Sequence, residues 1–229
     1  VRRVMVNGRW PLMVADQMAA LYEQPVGWER ARLDAMAELI GPGSRVLYVG
    51  AEQGDMPALM ATWGAQVAMF EPGERVWANI KTVWDVNGVV PAWCFQGFAH
   101  SETRRTPRSS VTLGWPPCAV GEPVTDHGFR NVLERPEQQA IRLDDFVAWT
   151  GFVPSDISID VEGSEFEVLR GCEATIEAHG PTVWLSLHPE FMYEQYRDYS
   201  IELNRWLVRR GYRYDLLDWG HEMHLRYVQ

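Results

Sequence analysis

Arg45-Val46-Leu47-Tyr48-Val49-Gly50-Ala51-Glu52-Gln53-Gly54 runs from a strand-forming segment straight into a glycine turn. The β-branched and aromatic residues predict a buried strand over 45–49, and the glycines let the backbone bend sharply and approach a ligand closely. The same rhythm continues outward. Strands are expected at 66–71, 92–96, 156–161 and 182–188, separated by helical patterns near 56–63, 74–85 and 164–178. Short apolar runs alternating with helices predict a mostly parallel sheet covered by helices on both faces.

Both ends of the chain depart from this rhythm. Near the start, apolar runs flank Asn7-Gly8, a dipeptide suited to a hairpin turn, and two helical stretches follow, the second near 28–40 and stopped by Gly41-Pro42-Gly43. Near the end, a helix over 201–210 precedes strands at 213–219 and 222–228, joined only by Gly220-His221. So short a joint forces an antiparallel C-terminal hairpin. Residues 101–139 are rich in Pro, Gly, Ser and Arg, without periodicity, and read as an inserted loop or lid. One domain over 1–229 is expected, with 1–40 a hairpin and helical cover and 41–229 the core.

The composition narrows the class. Among 229 residues, 21 Lys and Arg stand against 31 Asp and Glu, a formal charge of −10, which disfavours nucleic acid and anionic membranes as partners. Apolar runs are strand-sized, far from the ~18 residues a membrane span needs. Cys94, Cys118 and Cys172 are widely spaced and form no C-x-x-C pair, so reduced thiols in a cytoplasmic protein are expected.

Two clusters can carry chemistry. Glu71, in Phe70-Glu71-Pro72, follows Gly50 by 21 residues, near the ~20 expected between a glycine turn and a ribose-binding acid. A carboxylate there suits an adenosine-containing cofactor; the glycines would equally serve a tight turn for helix packing. The second cluster, Asp156-Ile157-Ser158-Ile159-Asp160-Val161-Glu162-Gly163-Ser164-Glu165, delivers Asp160 to the sheet edge where open α/β sheets bind ligands. Asp160 and Glu162 would equally cap the following helix. His188 ends the next strand, as a member of the same cleft or as a histidine satisfied by backbone.

Together these segments resemble the FkbM family of S-adenosylmethionine-dependent methyltransferases over about residues 29–212. The resemblance is carried by Arg45 to Gly54, by Phe70-Glu71-Pro72 with Asn79 and Asn87, and by Ile141-Arg142-Leu143-Asp144-Asp145-Phe146 leading into Ile159-Asp160-Val161-Glu162-Gly163-Ser164-Glu165. It implies a Rossmann-like class I methyltransferase fold with a seven-stranded sheet, and S-adenosyl-L-methionine as cofactor. Gly50, Ala51, Glu52, Gly54, Glu71, Pro72, Gln96 and Gly97 would line the cofactor crevice. Asp160 and His188 are the candidate base and orienting group, with Glu162 as a third member. The expected reaction is O-methylation of a sugar, glycan or other small-molecule hydroxyl, and the Asp160, Glu162 and His188 set could also ligate a divalent cation.

This chain departs from the family where an acid is usual and Tyr48 stands, where an asparagine is usual and Glu52 stands, and at Ser158 and Ser186, where lysine and an acid are usual. Glu52 is the candidate replacement for the acid missing at 48. Rival readings are a nicotinamide-dependent oxidoreductase, to which G-A-E-Q-G offers an incomplete fingerprint, and a catalytically degenerate cofactor-binding protein acting through partners. Elsewhere, Arg104, Arg105 and Arg108 with Trp115 are a candidate anion- or carbohydrate-binding patch, more simply a solvated surface. Trp63, Trp77, Trp84 and Trp149 are expected in the core. His221 and His224 read as residues of a solvated turn, while His100 and His127 fall in or beside the inserted segment.

Overall fold

The computed structural model describes residues 1–123, 135, 137–220 and 222–229. Strands β1 (Arg2–Val6) and β2 (Trp10–Val14) form the N-terminal antiparallel hairpin, with Asn7 and Gly8 at positive φ in its turn. Helices α1 (Asp16–Tyr22) and α2 (Arg30–Leu39) follow, then β3 (Arg45–Val49), α3 (Asp55–Thr62), β4 (Gln66–Glu71), α4 (Trp77–Val86) and β5 (Trp93–Gln96). Next come β6 (Phe98–Ala99), β7 (Val111–Leu113), β8 (Ala140–Ile141), α5 (Leu143–Thr150) and β9 (Asp156–Ile159). The chain closes with α6 (Glu165–Arg170), α7 (Glu173–His179), β10 (Thr182–Leu187), α8 (Pro189–Phe191), α9 (Ser200–Val208), β11 (Arg213–Trp219) and β12 (Met223–Val228).

The main sheet has the order β11-β12-β10-β9-β3-β4-β5-β7. Strands β10, β9, β3, β4 and β5 are parallel, and β12 returns antiparallel to β10. This is the α/β class expected, with one strand beyond the seven. The eighth, β7, comes from the segment read as a structureless insert and pairs antiparallel with β5. Three residues are too few to show a period in sequence. Within the same segment, β6 and β8 pair as a short parallel ladder.

Alternation along the strands divides the interior into two cores. Leu47 and Val49 of β3 face a core shared with Phe146 of α5, Leu169 of α6 and Leu207 of α9. Val46 and Tyr48 face the other way, into a core built from the N-terminal hairpin, α1, α2, α3 and α4. Residues 1–40 therefore supply a layer of the packed interior. Asn87 pins that layer at a distance: its amide accepts from Met13 N at 2.9 Å and donates to Met13 O at 2.7 Å.

Other boundaries moved for local reasons. The strand expected over 156–161 stops at Ile159, and Glu162 beyond it is left-handed with φ 55°. The helix expected over 164–178 is two helices, because α7 restarts on its own cap. Asp144 accepts from Thr175 N at 2.8 Å and Ala174 N at 3.1 Å. Trp77 and Trp84 are fully buried, as expected.

Candidate functional site

Strands β3, β4 and β9 end on the same side of the sheet, so their tips border one crevice. Gly50 has φ 87°, and a Cβ there would stand 1.8 Å from Asp160 O, so glycine is what lets the ends of β3 and β9 meet. At Gly54 a Cβ would stand 2.6 Å from Ile80 Cγ2, so this glycine serves the packing of α3 on α4. Both glycines thus serve close packing of the chain on itself, Gly50 between strand ends and Gly54 between helices.

Glu71 ends β4 with its side chain buried. Its Oε1 accepts from Gly73 N at 2.7 Å and its Oε2 from Glu52 N at 3.0 Å, fixing the carboxylate while leaving further lone pairs for a ligand. Burial pushes this carboxyl up to about 7, against those two hydrogen bonds. Gly97 N donates to Glu71 O at 3.2 Å and Gln96 Nε2 donates to Pro72 O at 2.9 Å, so Pro72, Gln96 and Gly97 adjoin it. Ala51 is buried, and Gln53 Oε1 accepts from Asn79 at 3.4 Å. Glu52, at φ 47°, lies between the two parts of the site. Although Glu52 is exposed, loss of water around its carboxyl and then the charges of Asp160, Asp55, Glu71 and Glu162 raise it to about 9. Tyr48 is buried in the core on the α2 side and brings no carboxylate.

The second part centres on His188, buried and stacked on Phe191 at 5.9 Å. Its Nδ1 lies 2.7 Å from Glu165 Oε1, and its Nε2 lies 2.8 Å from Glu222 Oε2, 3.7 Å from Glu162 Oε2 and 4.0 Å from Asp160 Oδ1. Burial opposes a charged ring here, but the hydrogen bonds to Glu165 and Glu222 and the charges of Glu165 and Asp160 outweigh it and push His188 up to about 11. Burial likewise raises Glu165 and Glu162, with His188 acting to lower both. The structure thus brings together Asp160, Glu162 and His188 and adds Glu165 and Glu222.

Arg32 of α2 completes the group from the N-terminal layer. Its guanidinium, buried, donates to Glu29 Oε2 at 2.6 Å, Ser158 Oγ at 3.1 Å and Asp160 Oδ2 at 3.4 Å. Glu29 is raised to about 7 by burial, with Arg32 opposing. Across the sheet, Ser186 pairs in register with His224, whose Nδ1 is 3.1 Å from Ser186 Oγ. His224 Nε2 lies 3.5 Å from Glu222 Oε1 and 4.0 Å from Glu29 Oε2. The solvated-turn reading of His224 is therefore corrected: it is buried within this network, because β12 turns it toward the face that α2 covers. The small side chains of Ser158 and Ser186 make room for Arg32 and His224 and bond to them. Glu29, Arg32, Glu222 and His224 were missed from sequence, since none lies within a local motif.

Other expectations find local explanations. Arg104 pairs with Glu102 at 3.0 Å, and Arg108 donates to Trp149 O. Trp115 is partly buried and packs edge-on against Trp84 at 5.8 Å. His100 Nε2 lies 3.6 Å from Glu167. His127 and His221 lie outside the described residues.

The model of the methyltransferase FkbM domain matches residues 49–214. The chain belongs to the FkbM methyltransferase family. No curated protein matches the sequence. Among solved structures, the FkbM methyltransferase of Methylobacillus flagellatus KT is similar at 18% identity with a TM-score of 0.51, covering 80% of this chain and 43% of that one. This FkbM-family chain thus spans less than half the length of that relative. Precorrin-6y C5,15-methyltransferase of Geobacter metallireducens superposes with a TM-score of 0.53 at 10% identity, covering 95% and 93%. A fibrillarin pre-rRNA processing protein of Methanococcus jannaschii gives 0.51 at 13%, covering 82% and 67%. At such identities the likeness is one of fold. The FkbM match decides against the nicotinamide reading, and it ends short of Glu222 and His224 and begins after Glu29 and Arg32.

Proposed function

We propose that this protein transfers a methyl group from S-adenosylmethionine to a hydroxyl oxygen of a sugar, glycan or other small-molecule acceptor. The observation that carries the reading is the Glu71 carboxylate, held by Gly73 N and Glu52 N beside the glycine turn of an FkbM-family chain. Those residues fit a bound nucleoside: Glu71 would accept from the ribose hydroxyls, and the turn through Gly50 to Gly54 would carry the methionine part toward Asp160. Asp160 would supply the negative charge an ammonium needs where Tyr48 cannot, and Glu52, raised by desolvation and its acidic neighbours, would lose its proton as the ammonium binds. When bound, the cofactor supplies an electrophilic methyl carbon and takes the electron pair of the breaking bond on its sulfur.

The chain's own task is to position the acceptor oxygen, exclude water and accept one proton. Asp160 is the base in this reading: its Oδ1 faces the crevice group while its Oδ2 is held by Arg32. His188, clamped between Glu165 and Glu222, orients the carboxylates around it. The acceptor is taken to be a small molecule or glycan, not nucleic acid, in keeping with a formal charge of −10. No helix among the described residues is long and apolar enough to cross a membrane.

The test has two arms. S-adenosylhomocysteine should raise the melting temperature where NAD does not. Methyl label should pass to at least one member of a panel of hydroxylated acceptors and drop at least a hundredfold in Asp160→Asn, on the order of what a positioned base contributes. Stabilisation by NAD alone, or full transfer by Asp160→Asn, would overturn the assignment.

A further inference from the structure

We propose that His188, Glu222 and Asp160 form a binding site for a divalent first-row transition-metal cation at the acceptor end of the crevice. One ligand atom from each lies within 4.8 Å of the others. His188 Nε2 is 2.8 Å from Glu222 Oε2 and 4.0 Å from Asp160 Oδ1, and Glu162 Oε2 stands 3.7 Å away at the more open side. A cation with bonds of ~2.0–2.2 Å sets neighbouring ligand atoms about 3 Å apart and opposite ones about 4 Å apart, so the spacing suits a shared ion. One imidazole among carboxylates is a donor set for the first-row metals.

A second observation concerns what stands behind the histidine. Glu165, with no exposed surface, approaches Nδ1 at 2.7 Å. A ring that donates from Nδ1 to a buried carboxylate turns the Nε2 lone pair toward Glu222 and Asp160, the carboxylate–histidine–metal relay. The other oxygen of Glu165 has no hydrogen-bond partner among the described residues.

Charge gives the third argument. Asp160, Glu162, Glu165 and Glu222 surround one imidazole, and the Arg32 guanidinium nearby is shared between Asp160 and Glu29. A divalent ion offsets that buried negative charge, where a single proton on Nε2 offsets less of it. Glu29, Glu222 and His224 also lie within 4.8 Å of one another, but Glu29 already faces Arg32 at 2.6 Å, which disfavours a second cation there. Asp160 and His188 lie within the FkbM match at 49–214, and Glu222 stands on the C-terminal hairpin beyond it. A bound ion would hold and acidify an acceptor hydroxyl; that role rests on the methyl-transfer reading, while the binding itself does not.

The full chain, stripped with chelator, is titrated with Mn²⁺ while free ion is followed by electron paramagnetic resonance. One ion per chain is expected, with nitrogen coupling from one imidazole in the pulsed spectrum. Glu222→Gln should weaken binding at least tenfold, and Glu165→Gln, which meets His188 at Nδ1 and Gly163 N, about 10- to 100-fold. Asp160→Asn makes the same comparison should Glu222→Gln fail to fold by circular dichroism, and Asp85→Asn, on the distant surface of α4, should bind as the parent does. Absence of bound Mn²⁺ in folded protein at millimolar ion, binding unaffected by Glu222→Gln or Asp160→Asn, or a spectrum without nitrogen coupling would overturn the proposal. Stabilisation by S-adenosylhomocysteine is measured on the same samples. Cofactor binding without Mn²⁺ sinks the cation site alone, and Mn²⁺ binding without cofactor supports the site while failing the methyl-transfer reading.

Discussion

Glu71 and Gly50 show how much of the site is settled by single side chains. Burial holds Glu71 near 7, so its charge is lost as pH falls through that value. Because this pKa is raised in the folded protein, Glu71 favours the fold at low pH, and that contribution is lost as pH rises from about 4.5 toward 7. A ribose bound through charged hydrogen bonds favours the carboxylate. Binding of S-adenosylhomocysteine at about pH 6.5 should therefore release protons, and affinity should rise up to neutrality and level off above it. Calorimetry in buffers of different ionisation enthalpy measures this, and the release should vanish in Glu71→Gln. At Gly50, alanine would drive Cβ into Asp160 O, so Gly50→Ala should cost about 3 kcal/mol or more in urea denaturation. Glu71 and the glycine turn were legible because a strand, a bend and an acid follow one another at short range. Ser158 and Ser186 were legible only as departures, because their partners Arg32 and His224 stand 126 and 38 residues away.

At the scale of elements, the Leu143-Asp144-Asp145 run marked the family in sequence, and its work is architectural. Asp144 caps α7 through Ala174 N, Thr175 N and the Thr175 hydroxyl, while Asp145 accepts from Thr103. Asp144→Ala should cost about 1–2 kcal/mol, seen as a lower urea midpoint with an unchanged slope. The strand starts at Arg45, Gln66, Asp156 and Thr182 fell where the apolar runs begin, because a buried parallel strand announces itself as a continuous apolar run. Helix α5 and strand β7 were not anticipated. Each is short, and pairing with β5 or packing of Phe146 into the core stabilises what local propensity leaves undecided.

Across the whole molecule, the N-terminal layer and the C-terminal hairpin converge on the crevice. Arg32 ties α2 to β9 through Ser158 and Asp160, so its loss reaches both fold and site. Arg32→Met should destabilise the protein by about 3–5 kcal/mol, since it leaves Glu29 and Asp160 without their counter-ion. Adding Glu29→Gln should recover part of that loss, a coupling that a double-mutant cycle in urea would measure. From the sequence alone came the α/β class, the positions of the main strands along the chain, the glycine turn with Glu71, and the acidic end at Asp160. Each of these is written within one strand and its following turn, where neighbours in chain are neighbours in space. Only the tertiary structure decided that His188 meets Glu165 and Glu222, that Arg32 and His224 occupy the space over two serines, and that Trp115 packs inward. Those contacts join distant segments across a sheet face, and burial, not local periodicity, selects them.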